Sequence, residues 1–216
     1  MYREIREGDL ILAYKVFGHG SKDVIALHGH SKSPEDFRQF EQEGNRIIAI
    51  QLFHHGQSYF PLERINKKPL KESEWQGLMK LLFEEESIQY FHLIAYSQGG
   101  RFALKTFELF PEKVSSFTLL SPDGIDLKGY YDRSSNRGIN RLMMEYFERK
   151  PGMFMRAMKM TKRLGKVNHK VVELSENFTK NKENMVLASR TWRNFRNIRS
   201  APETIGQLIK EHKTPF

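Results

Sequence analysis

A serine in the middle of residues 95–100, AYSQGG, stands where a nucleophile could act. An apolar, strand-like run precedes Ser97, and a segment with helical spacing follows it. A strand that turns sharply into a helix brings two backbones close together, and Ala95, Gly99 and Gly100 are small enough for that turn. The Ser97 hydroxyl would then project at the carboxyl end of the strand, where open α/β sheets bind ligands. The pattern predicts a nucleophile; the alternative is a serine that only caps the helix.

Two backbone N–H groups could stabilise the negative charge that develops when Ser97 attacks. The N–H of Gln98 would lie at the N-terminus of the helix that follows. LHGH, residues 27–30, ends an earlier apolar strand in a tight turn, after which the N–H of His30 could complete an oxyanion hole. The sequence therefore offers a nucleophile and both halves of an oxyanion hole.

Six strand patterns must position these residues. They cover residues 2–7, 10–18, 23–29, 46–52, 90–96 and 114–122. Gly8 and Asp9 predict a turn that joins the first two strands in a hairpin. Because helical segments separate the later strands, we predict an α/β fold with a mostly parallel sheet, helices on both faces and an N-terminal antiparallel hairpin.

Three helices are predicted between the strands. Ser33 suits an N-cap, Pro34 a first helical position and Gly44 a helix end. Residues 72–87 have the spacing of an amphipathic helix. A third helix follows Ser97 and ends before Pro111.

The last two fifths of the chain differ from the rest in pattern and in charge. Residues 1–125 carry 15 basic and 17 acidic side chains, whereas residues 126–216 carry 20 and 9, so the second part accounts for the net charge of +9. Residues 126–200 contain helical patterns and no strand pattern. We predict a core over 1–125, a helical cap over 126–200, and a helix over 201–216 that returns to the core.

The motifs occur in the order typical of one family. LHGH at 27–30, FHHGQS at 53–58 and AYSQGG at 95–100 each follow a predicted strand. On these motifs the chain resembles the α/β-hydrolase fold family, of the type with a serine nucleophile and a helical cap. The resemblance implies that Ser97 is the nucleophile and that the N–H groups of Gln98 and His30 form the oxyanion hole. It also implies that His28 supports the loop.

The chain departs from the family pattern at three positions. Ala95 replaces the usual glycine of the elbow, and in QLFHHGQS Gln51 replaces an acid and His54 a glycine. Adjacent histidines point in different directions on most backbones, and no carboxylate lies near His54 and His55 in sequence. We therefore predict a structural loop there, no metal site and no cofactor.

The acid and the histidine that would activate Ser97 are not evident. The family order implies that both follow strands beyond Phe216, with residues 213–216 as the entry to the first of them. Within the chain, Asp123 is an alternative acid, although it could simply open a turn with Gly124. His169, in the predicted cap, is a remote alternative for the base. Without further strands, the last strand would be an open edge that another chain could cover.

The predicted cap suggests which substrates could fit. It is rich in methionine and phenylalanine, and we predict that Tyr96, Met143 and Phe154 contact a small apolar or acyl substrate. Ordinary helix packing explains the cap residues equally well. Its positive charge could instead attract an anionic substrate or a membrane surface. Residues 190–199, RTWRNFRNIR, could bind nucleic acid, but arginines on the outer face of a lid helix are the preferred interpretation, so no nucleic-acid partner is predicted.

The composition bears on the compartment in which the protein acts. The chain has no cysteine, which excludes disulfides and thiolate sites and fits the cytoplasm. No segment approaches the roughly 20 apolar residues that a membrane helix needs.

Two hypotheses on function remain. The first is a serine hydrolase of an ester, thioester or related acyl or C–C bond; the second is a catalytically silent binding protein of the same fold.

Overall fold

Six strands form one sheet in the computed structural model, which describes residues 1–125, 138–163 and 182–216. The strands are β1 (Arg3–Glu7), β2 (Leu10–Phe17), β3 (Lys22–Leu27), β4 (Asn45–Ile50), β5 (Phe91–Tyr96) and β6 (Val114–Leu120). Their order across the sheet is β1-β2-β4-β3-β5-β6. Because β3 lies between β4 and β5, the loops that follow β3 and β5 emerge side by side.

The pairing directions confirm the predicted fold class. β1 and β2 form an antiparallel hairpin, with Gly8 in the left-handed region at its turn (φ 57°). β2 is also antiparallel to β4, whereas the β3–β4, β3–β5 and β5–β6 pairs are parallel. The sheet is therefore mixed and mostly parallel, with the antiparallel hairpin at one edge.

Seven α-helices accompany the strands in the described residues. They are α1 (Arg64–Lys67), α2 (Glu72–Glu85), α3 (Gln98–Leu109), α4 (Gly138–Arg149), α5 (Pro151–Arg163), α6 (Lys182–Asn194) and α7 (Pro202–His212). Short 3-10 helices cover Pro34–Phe40, Pro111–Lys113 and Phe195–Asn197.

One predicted helix is shorter and of another type than expected. The Ser33 N–H donates to the Asp36 carboxylate, as an N-cap residue should, but the 3-10 helix ends at Phe40. The backbone of Glu41 is already extended (φ −63°, ψ 116°). Gly44 (φ 91°) instead belongs to the turn that enters β4, where the Asn45 N–H donates to Gln42.

Alternate residues of strand β3 pack on opposite faces of the sheet. Ile25 and Leu27 belong to the large buried cluster that includes side chains of α2 and α3. Ala26 belongs to a smaller cluster with Phe37 of the 3-10 helix. All five apolar residues of the amphipathic face of α2 are buried, as predicted: Trp75, Leu78, Met79, Leu82 and Phe83.

The residues after α7 run beside the edge strand β6. The Phe117 N–H donates to the Pro215 carbonyl over 3.1 Å, and the rings of Phe117 and Phe216 lie 4.8 Å apart. This contact lies where the sequence predicted the entry to a further strand.

Helices α4, α5 and α6 belong to the segment predicted as a cap. Residues 126–137 and 164–181 of that segment, including His169, lie outside the described residues. Within the described ranges, no helix combines the length and apolarity needed to cross a bilayer.

Candidate active site

Ser97 has a backbone conformation that non-glycine residues rarely adopt. Its φ is 48° and its ψ is −114° at the junction of β5 and α3. Its N–H donates to the Leu120 carbonyl over 2.9 Å, and its carbonyl accepts from the N–H groups of Gly100 (2.9 Å) and Asp123 (2.8 Å). Backbone strain of this kind costs about 1–3 kcal/mol and persists only when surrounding contacts enforce it. The turn thus holds the one side chain that sequence reasoning selected as a nucleophile.

The two glycines after Ser97 allow that turn to form. A Cβ at Gly99 would lie 2.1 Å from the Leu27 carbonyl oxygen and 2.8 Å from that of His28. A Cβ at Gly100 would lie 2.5 Å from Cβ of Pro122. The helix therefore starts against the backbone of the neighbouring loops, which explains why both positions require glycine.

The loop after β3 lies against the Ser97 turn. A Cβ at Gly29 would lie 3.1 Å from Cβ of Ser97 and 2.6 Å from Cδ1 of Tyr96. His30 follows directly, and Gln98 begins α3, where first-turn N–H groups have no acceptor within the helix. The structure therefore brings Ser97, Gln98 and the His30 loop together, as the oxyanion-hole hypothesis requires.

His28 links the loops after β3 and β4. Its Nδ1 lies 2.8 Å from the Gly29 carbonyl, and its Nε2 accepts from the Leu52 N–H over 3.0 Å. The proton therefore lies on Nδ1. Burial, with a smaller contribution from His55, lowers the pKa of His28 to about 3. His28 thus stays neutral and supports the loop, in line with the role that the resemblance implied.

The FHHGQS loop is held by local hydrogen bonds. The Gln51 side-chain oxygen accepts from the Gln57 N–H over 2.8 Å, and Ser58 Oγ donates to the Gln51 carbonyl over 2.5 Å. Gln51 thus stabilises the loop without a charge. His54 (φ 68°) places its Nε2 3.0 Å from the Asn194 amide of α6, and burial lowers its pKa to about 3.

His55 packs between two other histidines. Its ring centroid lies 4.8 Å from that of His28 and 6.1 Å from that of His30. Burial lowers the pKa of His55 and lowers that of His30 to about 4. In the described residues, no group of three or more His, Asp or Glu side chains is arranged to hold a metal ion.

Asp123 lies beside Ser97, but its carboxylate is already engaged. Arg101 Nε and one terminal nitrogen donate to its two oxygens over 3.1 and 3.2 Å. The Arg101 side chain is buried in α3 and also donates to the Ile198 carbonyl. Gly124 follows in the left-handed region (φ 102°), so the turn that the sequence offered as the simpler explanation is present. The role of Asp123 as triad acid stays an alternative prediction. In the structure its carboxylate is paired with Arg101.

No histidine hydrogen-bonds the Ser97 side chain within the described residues. Tyr96 is 41% exposed next to the turn. Met143 is exposed on α4, and Phe154 on α5 packs against Phe147 with ring centroids 5.2 Å apart. No described contact joins Met143 or Phe154 to Ser97, and their role in substrate binding stays a prediction.

Two arginines of residues 190–199 do not lie on the outer face of a helix, where the sequence analysis placed them. Arg193 and Arg196 are buried, 4% and 7% exposed, rather than on the outer face of a helix. Arg193 donates to the Glu148 carboxylate, and Arg196 donates to the Ile65 and Asn66 carbonyls. These arginines join α6 to neighbouring elements, because carboxylates and carbonyls that are distant in sequence satisfy their charge.

Sequence reasoning missed Arg101 and a cavity. The cavity measures about 710 Å³ and lies between the loops after β3 and β4 and helix α6. Arg101 follows Ser97 by four positions in a helix whose first ten residues are all buried. A charged residue at a buried position needs a partner, so the sequence did hold a signal for this ion pair. The cavity depends on how α6 packs, for which the local sequence holds no signal.

Comparisons with known proteins identify the fold family of the chain. The family model of the α/β hydrolase fold matches residues 24–208. A Bacillus subtilis (strain 168) protein assigned as 2-succinyl-6-hydroxy-2,4-cyclohexadiene-1-carboxylate synthase is 29% identical over 105 residues, which are 48% of this chain and 37% of that protein. The chain spans about two fifths of the length of the curated relatives it matches.

Solved structures show the same fold at low sequence identity. MGS-M2, an α/β hydrolase enzyme from a Medee basin deep-sea metagenome library, is 13% identical with a TM-score of 0.63, over 98% of this chain and 76% of that one. An α/β hydrolase fold protein from Burkholderia ambifaria is 17% identical with a TM-score of 0.59, over 95% and 73%. Since the family match spans most of its residues, the chain belongs to the α/β-hydrolase fold family.

Proposed function

We propose that the protein is a serine hydrolase that cleaves an ester, a thioester or a related acyl or C–C bond, with Ser97 as its nucleophile. The observation that carries the proposal is the Ser97 turn, a non-glycine residue with φ 48° and ψ −114° between β5 and α3. Three backbone hydrogen bonds enforce that conformation at a cost in stability, and capping a helix would not require it.

The proposed reaction has two steps. Ser97 Oγ attacks the carbonyl carbon, its proton passes to a base, and the N–H groups of Gln98 and His30 bind the oxyanion. The intermediate then expels the leaving group, which takes up that proton, and water hydrolyses the acyl-enzyme by the same route. One preorganised oxyanion-hole donor typically contributes on the order of 10²–10³ in kcat.

The base is the part of the proposal that the described residues do not supply. Both ring nitrogens of His28 are engaged, and the Nε2 of His54 faces the Asn194 amide. We therefore propose that a histidine from outside the described residues activates Ser97 and that its carboxylate partner comes with it. Asp123 would have to leave Arg101 to serve instead.

A second candidate is favoured by the surroundings of Ser97 rather than by its backbone conformation. A protein of this fold in which no histidine reaches Ser97 would bind a small molecule without turning it over. The engaged Asp123 carboxylate and the lack of a histidine partner to Ser97 among the described residues fit that alternative.

Turnover of p-nitrophenyl esters separates the two candidates. We expect the full chain to hydrolyse p-nitrophenyl acetate or butyrate and Ser97→Ala to lose at least 100-fold in kcat/KM. Ser87→Ala is the matched control, since Ser87 is also a serine with positive φ (54°) but lies after α2. Equal rates for Ser97→Ala and the unsubstituted protein would contradict the hydrolase proposal.

A further inference from the structure

A cavity of about 710 Å³ separates helix α6 from the loops after β3 and β4. Ser31 and Lys32 line it from the first loop, His55 from the second, and Lys182 and Arg190 from α6. We name it the loop–helix cavity. Ser31 Oγ donates to the Asn184 side-chain oxygen over 3.1 Å, so the two walls already touch at one point.

The charge of the lining favours an anion. Lys32, Lys182 and Arg190 bring three positive charges, whereas Glu183 brings the single carboxylate among the lining residues. Lys32 Nζ lies 3.8 Å from Asp36, beyond hydrogen-bond distance. Arg190 donates to Glu148 through Nε, and its two terminal nitrogens make no hydrogen bond within the described residues. These terminal nitrogens form the fork that binds carboxylate or phosphate oxygens in pairs.

One residue that lines the cavity, His55, carries an unsatisfied acceptor. His55 is 6% exposed, and its Nδ1 lies 3.0 Å from the Phe53 carbonyl, which can only accept, so the proton lies on Nδ1. Its Nε2 is buried without a hydrogen-bond partner among the described residues. A buried acceptor without a donor costs about 1–3 kcal/mol. A ligand hydroxyl would supply that donor.

The cavity lies close enough to Ser97 for one ligand to reach both. Gly29 contacts the Ser97 turn, and Ser31, two residues later, lines the cavity. Two residues of fully extended chain span at most about 7 Å. A substrate of a few carbon atoms could therefore place a charged end in the cavity and its carbonyl at Ser97.

We propose that the loop–helix cavity binds the anionic end of the substrate, a carboxylate or a phosphate group with a neighbouring hydroxyl. Lys32, Lys182 and Arg190 would contact the anion, and His55 Nε2 would accept from the hydroxyl. The proposal rests on the function proposed above and narrows its substrates to hydroxylated anions.

Calorimetric binding tests the cavity without catalysis. The probes are 3-hydroxybutyrate, glycerol 3-phosphate and the neutral 3-hydroxybutyramide, each added to the full chain at low salt. We expect both anions to bind and the amide to bind at least tenfold more weakly, and the stronger anion identifies the group. Butyrate, which lacks the hydroxyl, should bind about three- to tenfold more weakly than 3-hydroxybutyrate. Equal binding of the amide and the acid would overturn the proposal.

A charge-matched pair of variants locates the binding. Lys32→Gln combined with Lys182→Gln should weaken anion binding by roughly 100-fold, about tenfold per cation. Lys67→Gln combined with Lys210→Gln removes the same charge from α1 and α7 and should leave binding within twofold. An equal loss in both pairs would show that only net charge matters and would overturn the proposal.

Protection of Ser97 links the cavity to the substrate. Saturating anion should slow fluorophosphonate labelling of Ser97 in the unsubstituted protein and not in Lys32→Gln with Lys182→Gln. Binding without protection would overturn the assignment of the cavity to the substrate. Should Ser97 never be labelled, the hydrolase proposal fails, while calorimetry still decides whether the cavity takes a hydroxylated anion.

Discussion

The Ser97 turn and helix α6 are held in place by different kinds of contact. The Ser97 N–H donates to the Leu120 carbonyl and the Ser97 carbonyl accepts from Gly100 and Asp123, so the bonds that hold Ser97 involve no side chain. Helix α6 is held by side chains: Arg190 and Arg193 donate to the Glu148 carboxylate of α4, and Asn194 accepts from the Leu70 N–H.

This difference explains what each region can tolerate. A backbone turn demands small residues at fixed positions, and those positions appear as a short motif. The charged side chains of the second region join residues that are 42 to 127 positions apart and leave no local motif. The first arrangement should fail when one carbon atom is added, the second when one charge is removed.

The largest expected effect is at Gly99. A Cβ there would lie 2.1 Å from the Leu27 carbonyl oxygen and 2.6 Å from its carbon, and backbone cannot move aside as a side chain can. Gly99→Ala should therefore cost about 3 kcal/mol or more of unfolding free energy in urea titrations, at the upper end of the range for overpacking.

Gly206 in α7 is the matched control. A Cβ there would meet nothing within 4 Å, so Gly206→Ala should stabilise the protein by about 0.5–1 kcal/mol. A Gly99→Ala protein as stable as the unsubstituted one would contradict the backbone account of the turn.

The second effect tests the charge network that holds α6. Glu148→Gln keeps the shape of the side chain but leaves buried Arg193 with only the Glu145 carboxylate, 3.9 Å away, so we expect a loss of about 2–3 kcal/mol by urea unfolding. Glu4→Gln removes a carboxylate from an exposed pair with Arg6 and should cost under about 0.5 kcal/mol. Equal losses in the two variants would show that the network contributes no more than a surface pair.

Acid should destabilise the loops after β3 and β4, which carry buried histidines and lie between the Ser97 turn and helix α6. In the unfolded chain histidine has a pKa of about 6.5, whereas His28 and His54 have pKa values of about 3 in the folded protein and His30 about 4. The unfolded state therefore binds more protons below pH 6.5, and stability is lost as pH falls from 6.5 towards 3. Between pH 7 and 5.5 we expect a loss of about 1 kcal/mol for each such histidine.

His28→Gln isolates one of these contributions. A glutamine side chain can both donate to the Gly29 carbonyl and accept from the Leu52 N–H, but it does not titrate. The loss of unfolding free energy between pH 7 and 5.5 should be about 1 kcal/mol smaller in this variant. An unchanged pH dependence would contradict the burial of a neutral His28.

The smallest effect concerns the strain at Ser97 itself. Glycine adopts positive φ without a Cβ clash, whereas alanine meets the same strain as serine. Ser97→Gly should therefore be about 1 kcal/mol more stable than Ser97→Ala in thermal or urea unfolding, although both lack the hydroxyl. A less stable Ser97→Gly protein would show that the turn is not strained.

The strands, their directions and the Ser97 turn could be predicted because each depends on local pattern. Alternating apolar residues set the strands, and Gly99 and Gly100 marked the close approach to β3. The helix expected to reach Gly44 ended at Phe40, because a turn and not a helix end required that glycine.

Long-range pairing explains what could not be predicted. Arg193 and Arg196 were expected on an outer face, since nothing near them in sequence shows that Glu148 and the Asn66 carbonyl would pair with them. The Arg101–Asp123 fork and the loop–helix cavity likewise depend on elements that meet only in the folded chain.

Covalent labelling with a fluorophosphonate probe tests most directly whether Ser97 is the nucleophile. The full chain is incubated with the probe, and the modified peptide is identified by mass spectrometry, with Ser97→Ala and Ser87→Ala in parallel. We predict one phosphonylated residue, Ser97, in the unsubstituted protein and in Ser87→Ala, and no modification in Ser97→Ala. An unmodified Ser97 in the folded, full chain would contradict the account and favour the silent binding protein.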